Sequence, residues 1–220
     1  MSIATSSNIR NFAEFLEFLG GISPERIRWQ PSPGTATVED VVRVEERENR
    51  LCELVDGVLV EKAMGYRESR IAVKLIAALE TFVEAGNLGV VTGADGMVRF
   101  LDDQVRIPDV AFASWDQFPT GELSDEAVPD IVPELVVKVI SIGNTAAEMD
   151  RKLLEYFRAG VQLVWYVDPK TKSVMVYSSP TRRKVVPSSG TLDGGKVLPG
   201  FSLPVASLFA KPKRTDKKRK

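Results

Sequence analysis

The sequence predicts an α/β sandwich built on a mixed central β-sheet flanked by helices, and three observations predict it. Helix-period and strand-period patterns are interspersed along the 220 residues rather than grouped by type. The run from Glu134 to Ile140 is nearly all β-branched or leucine, as befits a strand buried on both faces. Ile71, Leu75, Ala78, Leu79 and Phe82 recur at intervals of three and four, the apolar stripe of a long helix that must lie against a sheet or another helix. With 44% apolar residues the chain can fill one core, so a single domain is expected over residues 36–209. Residues 1–35 then form an N-terminal extension and residues 210–220 a basic disordered tail.

In chain order, Phe12, Phe15, Leu16 and Leu19 suit one short amphipathic helix that Gly20-Gly21 ends; the extension carries no evident chemistry. Thr37 reads as an N-cap with Asp40 three residues on, opening a helix that runs to about Glu48. Leu51 to Val55 and Val58 to Lys62 form a hairpin about Asp56-Gly57, where glycine supplies the positive φ of a tight turn. The long helix spans about Arg67 to Ala85. Strands follow at about Gly89 to Thr92, Met97 to Leu101 and Val105 to Ala113, the last pair joined by Asp102-Asp103. After a Pro/Gly/Asp/Glu loop comes the buried strand, then a helix from about Thr145 to Arg158 capped by Asn144 or Thr145. Val161 to Val167 is the next central strand, and a turn at Asp168 to Thr171 leads to its partner, Ser173 to Tyr177.

Composition excludes several chemistries. There is no histidine and only one cysteine, Cys52, which removes the usual zinc sites, internal disulfides and any Cys–His nucleophile. Acid–base work falls to carboxylates, lysine, tyrosine or metal-bound water, and the metals that fit are Mg²⁺ or Mn²⁺, which prefer oxygen ligands. No apolar run is long enough for a membrane helix and the first residues lack the pattern of a secretory signal, so a cytoplasmic protein is expected. The net charge of −1 hides an asymmetry: the last ten residues hold seven of the 29 Lys/Arg and one of the 30 Asp/Glu. Residues 1–210 therefore carry 22 basic against 29 acidic groups, a net of −7. The tail, with Lys211, Lys213, Arg214, Lys217 and Lys218, reads either as a nucleic-acid arm or as a solubilising terminus.

The residues that could carry chemistry gather around two strands. Asp109 follows Pro108 and precedes Val110-Ala111-Phe112, which puts a carboxylate where a strand enters the core and gives it need of a partner, a divalent cation being one. Lys138 stands among the valines of the buried strand, where an ammonium needs a carboxylate to keep its proton; Asp109 is the first candidate. Glu134 shares that strand face but lies ~13 Å away along the strand, too far to replace an acid at 138. On the following helix Glu148 and Lys152 form an i,i+4 pair, with Glu155 a turn further on; a solvated face is the plainer reading unless that face looks back at Asp109. Glu68, in the first turn of the long helix, could reach the same sheet edge or simply favour the helix dipole.

Six motifs in order now resemble the Uma-two family of restriction endonucleases, of the PD-(D/E)XK superfamily: Leu51 to Glu61, Arg106 to Phe112, Pro133 to Ser141, Lys152 with Glu155-Tyr156, Gly160 to Pro169 and Leu198 to Pro204. The resemblance covers about residues 36–209. It implies a restriction-endonuclease-like core and Mg²⁺-dependent (or Mn²⁺-dependent) hydrolysis of DNA by a homodimer that cuts two strands. It also implies that Asp109 binds the metal and that Lys152 is the catalytic lysine; an acid compensating for Lys138 would have to come from Glu148, Glu68 or Glu155, and Glu148 is the one expected as second metal ligand. Lys138 stands where the family has glutamate and Glu68 where many members have histidine. Because two carboxylates normally hold the cation, Lys138 implies an impaired site, and the alternative is a non-catalytic nuclease-fold protein that binds nucleic acid or a protein partner.

Overall fold

Proline and turn positions decide which strands pair. The computed structural model describes residues 9–63, 65–101 and 104–211. Its elements are α1 (Phe12–Phe18), α2 (Val38–Glu48), β1 (Cys52–Val55), β2 (Val58–Glu61), α3 (Tyr66–Gly86), β3 (Gly89–Thr92), β4 (Val98–Leu101), β5 (Gln104–Arg106) and β6 (Val110–Ser114). They continue as β7 (Leu135–Val139), α4 (Ala146–Ala159), β8 (Leu163–Asp168), β9 (Ser173–Ser179), β10 (Arg182–Val186), β11 (Thr191–Gly194), β12 (Leu198–Pro204) and α5 (Val205–Phe209).

A six-stranded sheet of order β10-β9-β8-β7-β6-β3 forms the centre. Only β7 and β8 run parallel, joined by the α4 crossover; the other pairs are antiparallel, so the sheet is mixed as expected. A four-stranded sheet, β2-β1-β5-β4, contains the expected hairpin, and β11-β12 form a ribbon that the sequence reading did not include, as it did not include β10 and α5. The expected strand Val105 to Ala113 is two strands in different sheets: β5 pairs β1 and β4, whereas β6 pairs β3 and β7. Pro108 lies in the break, where its missing N–H and fixed φ oppose a continuous ladder. Asp102-Asp103, expected to join two strands, lie outside the described residues, as do residues 212–220 of the tail.

Strand alternation then sorts side chains onto two layers. Val137 and Val139 of β7 face α3, packing with Ile71, Leu75, Leu79 and Trp165. Val136 faces the other way, toward Met149, Leu153 and Tyr156 of α4. Thr37 and Asp40 form a reciprocal capping box that starts α2, and Thr145 caps α4 by accepting from Glu148 N. Leu19, Ile22 and Ile27 of the extension pack on Val55, Val58 and Val60 of the hairpin. No helix among the described residues is long and apolar enough to cross a membrane.

Candidate functional site

The break at Pro108 places Asp109. Its N–H donates to Val137 O at 3.0 Å, which fixes it beside the end of β7, and its Oδ2 accepts from Val139 N at 2.7 Å. Its Oδ1 meets two ammonium groups, Lys138 Nζ at 3.0 Å and Lys62 Nζ at 3.1 Å. Asp109 is 1% exposed and Lys138 4%. Lys62, on the segment leaving β2, also donates to the carbonyls of Ala94, Ile107 and Pro108 at 2.8, 2.9 and 3.0 Å. Burial pushes the Lys62 ammonium down to about 8; Asp109 works against that fall and the neighbouring Lys138 charge adds to it.

A second ion cluster adjoins this one. Glu53 of β1, buried, takes Lys152 Nζ at 2.7 Å and Arg106 Nη1 at 3.1 Å. Burial alone would raise the Glu53 pKa, but Lys152, Arg106 and more weakly Lys138 hold it well below the usual carboxylate range. The field of Lys138 thus links the two clusters. Arg106 also donates through Nε to Glu155 at 2.9 Å; burial opposes its charge, but Glu155 and Glu53 raise its pKa further. Glu148 binds Lys152 at 3.1 Å, Asn144 at 3.0 Å and the guanidinium of Arg26 at 3.1 and 3.2 Å. Burial raises its pKa, yet Lys152, Arg26 and Asn144 together bring it down to about 2. Four buried carboxylates, of Glu53, Asp109, Glu148 and Glu155, are thus each met by cations: the buried Arg106, Lys138 and Lys152 and the partly covered Lys62, Arg26 and Arg151.

The N-terminal extension closes one side of this cluster. Arg26 reaches Glu148, Thr145 Oγ1 donates to Gly20 O, and Arg151 Nη1 donates to Phe18 O at 2.6 Å. A side chain at Gly20 would lie 2.8 Å from Glu148 N, so only glycine lets the extension press on the first turn of α4. Leu19 and Ile22 cover the small void above Glu53, Arg106 and Lys152.

The expected Lys138–Asp109 pair is present, and Glu148–Lys152 is an i,i+4 pair. The solvated-face reading of α4 does not hold: Glu148, Lys152 and Glu155 are each 3–4% exposed because that face looks inward at Arg106 and Glu53. Lys152 turns to Glu53 and Glu148 rather than to Asp109. Glu134, at the far end of the strand, accepts from Ser114 N and Gln117, as the spacing required. Glu68 folds its carboxylate over Gly65, and among the described residues no hydrogen bond or ion pair joins it to the cluster. Of the tail residues read as nucleic-acid ligands, Lys211 is exposed on the surface; Lys213, Arg214, Lys217 and Lys218 lie outside the described residues. The sequence reading missed Glu53, Lys62, Arg106 and Arg26. A lone glutamate between Cys52 and Leu54 in a buried hairpin was the signal for Glu53, and the arginine before Ile107-Pro108 the signal for Arg106; Lys62 and Arg26 left none.

The pattern of the Uma2 family, described as "Putative restriction endonuclease", matches residues 38–206. The chain belongs to the Uma2 family. Among solved structures, one described as "a putative nuclease belonging to DUF820 from Anabaena variabilis ATCC 29413" superposes on this Uma2 chain with a TM-score of 0.68 at 18% identity. The match covers 79% of this chain and 97% of that one, and at such identity it speaks for a shared fold. No curated protein matches. The Uma2 match begins at Val38, so the extension that seals the cluster lies outside it.

The donors present do not fit the divalent cation that metal-dependent nucleases use. Both Asp109 oxygens are taken, one by two ammoniums and one by a backbone N–H, and Glu148 is held by Arg26, Lys152 and Asn144. Among the described residues no three Asp, Glu, His or Cys side chains gather where they could share an ion. A dication ~4 Å from a single ammonium would be repelled by about 8 kcal/mol at an effective dielectric near 20, twice the unit-charge value, and Asp109 has two.

Proposed function

We propose that this Uma2 protein binds nucleic acid with a restriction-endonuclease fold and does not cleave it by metal-dependent hydrolysis. One observation carries the reading: Asp109, the carboxylate that the family resemblance assigns to the metal, is neutralised internally by Lys138 and Lys62 at 3.0 and 3.1 Å. Hydrolysis of this kind requires a cation held by carboxylates to activate water and to offset charge growing on phosphorus. Two tethered ammoniums offset charge but supply no nucleophile. DNA is the nucleic acid that the family description supports. With no second strand to cut, the reading does not require the homodimer that a restriction enzyme would.

Family membership favours a second reading, an Mg²⁺- or Mn²⁺-dependent endonuclease in which a buried acid exchanges its partner for the cation. The two readings are separated by assaying plasmid and single-stranded DNA with wild type, Asp109→Ala and Lys138→Glu in Mg²⁺ and Mn²⁺. The proposal expects no cleavage by wild type. Lys138→Glu lowers the charge of the cluster by two units, which a dication restores, so it should bind Mn²⁺ by calorimetry and melt at higher temperature with Mn²⁺ than with chelator. Cleavage by wild type that Asp109→Ala abolishes would establish the endonuclease instead.

A further inference from the structure

A basic groove lies at the same end of the central sheet as Asp109. Tyr66, Arg67 and Arg70 at the start of α3, Lys172 in the turn between β8 and β9, and Lys211 after α5 line about 580 Å³ over an apolar floor. No carboxylate is among its lining residues. Among the described residues Arg67, Arg70, Lys172 and Lys211 form no ion pair. Asp168, the acid of the adjoining turn, is committed to Lys170 N, Thr171 N and Thr171 Oγ1. One turn along α3, Lys74 is used up on the carbonyls of Ser207, Leu208 and Ala210, and burial, with Arg70 nearby, pulls its pKa down. Cations without counter-ions on a body of net charge −7 are a local concentration, not a general property of this surface.

Topology ties the groove to the candidate site. Arg67 Nη2 donates at 2.7 Å to Pro169 O, the residue that follows β8. β8 runs parallel to β7, and Ile140 N donates to Val167 O, so both strands present their carboxyl ends at one edge. Val139, which donates to Asp109, ends β7 there. Tyr66 is 90% exposed, an aromatic ring at the rim with its face open.

From this arrangement we infer that the groove is a nucleic-acid track: Arg70, Lys172 and Lys211 hold successive phosphates of one strand, and Tyr66 stacks on an unpaired base. Guanidinium and ammonium groups without protein partners lose little on exchanging water and counter-ions for phosphate, and ring stacking accepts any base. The inference rests on the nucleic-acid reading above and gives it a surface distinct from the ion cluster.

Fluorescence anisotropy of labelled single-stranded and duplex DNA against the full chain, over a range of salt, tests it. The Arg70→Glu/Lys172→Glu pair should lower affinity at least about tenfold and flatten the salt slope by about two, since each lost phosphate contact removes about one. Arg183→Glu/Lys184→Glu, the same charge change on the exposed edge strand β10, should change affinity less than about threefold. Tyr66→Ala should weaken single strands more than duplex. All substituted side chains are exposed, and matching thermal melts check that the variants are folded. Equal losses from the groove and edge pairs would overturn the track, as would binding that vanishes on deletion of residues 212–220 while the groove pair binds like wild type; in both cases nucleic-acid binding itself stands. Absence of binding by wild type would remove the track and the nucleic-acid reading together.

Discussion

Replacing Asp109 by asparagine keeps the side-chain shape and removes one charge, and the structure gives the size of the effect. Two ammoniums at 3.0 and 3.1 Å from Oδ1 lose their shared anion. Each contact is worth about 5 kcal/mol at an effective dielectric near 20, but desolvation cancels much of that, and taking one partner from a buried pair costs roughly 3–5 kcal/mol overall. The amide adds a conflict: if its oxygen faces the lysines, its NH₂ faces Val139 N, two donors with no acceptor, a further cost of about 1 kcal/mol or more. We expect Asp109→Asn to destabilise by about 4 kcal/mol, measured by urea unfolding at about pH 6. Lys62 sets the pH dependence. Its ordinary value of 10.5 falls to about 8 in the folded protein, so between those values the unfolded chain holds more protons and folded stability rises with pH, by up to about 3 kcal/mol. Below about pH 8 that contribution is lost. Without Asp109, which supports the charge on Lys62, the folded-state pKa drops further and Lys62 sheds its proton nearer neutrality. The cost of Asp109→Asn should therefore be largest at about pH 6 and smaller at about pH 9, where only Lys138 still lacks a partner. Adding Lys138→Met should recover most of the loss at about pH 9 and part of it at about pH 6, where Lys62 still lacks its anion. A variant within about 1 kcal/mol of wild type at about pH 6, or one whose deficit does not shrink at about pH 9, would refute the reasoning.

Two further substitutions probe the neighbouring contacts. Glu53→Gln leaves Lys152 on Glu148 and Arg106 on Glu155, so each cation keeps one anion and the expected cost is about 2–3 kcal/mol by urea unfolding; a change below about 1 kcal/mol would mean that Glu53 is not a shared anchor. Arg26→Ala frees the extension from Glu148 while Lys152 and Asn144 still hold that carboxylate. Hydrogen exchange should accelerate across residues 12–27 and stay unchanged in the second half of α4, and unchanged rates across residues 12–27 would show that the contacts of Gly20 and Phe18 with α4 and the packing of Leu19, Ile22 and Ile27 hold the extension without Arg26.

Local chemistry made much of this fold legible. The Thr37–Asp40 pattern is a working capping box, Asp56-Gly57 is the hairpin turn, and the periodicity of Ile71 to Phe82 is the buried stripe of α3. Each depends on residues within one or two turns of one another, so the sequence contains the whole cause. The Asp109–Lys138 pair was legible for a related reason: a charge on a strand buried on both faces demands a partner, and few candidates lie at the same sheet edge. The sequence by itself thus determined α1 to α4, the first hairpin, the central strands β7 to β9, the mixed character of the sheet and an ammonium in place of an expected acid, but not β10 to β12 or α5.

Tertiary structure decided the rest. Whether Val105 to Ala113 is one strand or two depends on partners that arrive from β1, β3 and β7, and apolar residues on either side of Pro108 look alike whichever sheet they join. That Arg106 binds Glu53, 53 residues away, and that Arg26 crosses 122 residues to Glu148, follows from the packing of two sheets and a crossover helix. A buried charge announces in sequence that it must be neutralised. Only the fold, by bringing distant carboxylates and cations into one low-dielectric volume, selects which opposite charge does it.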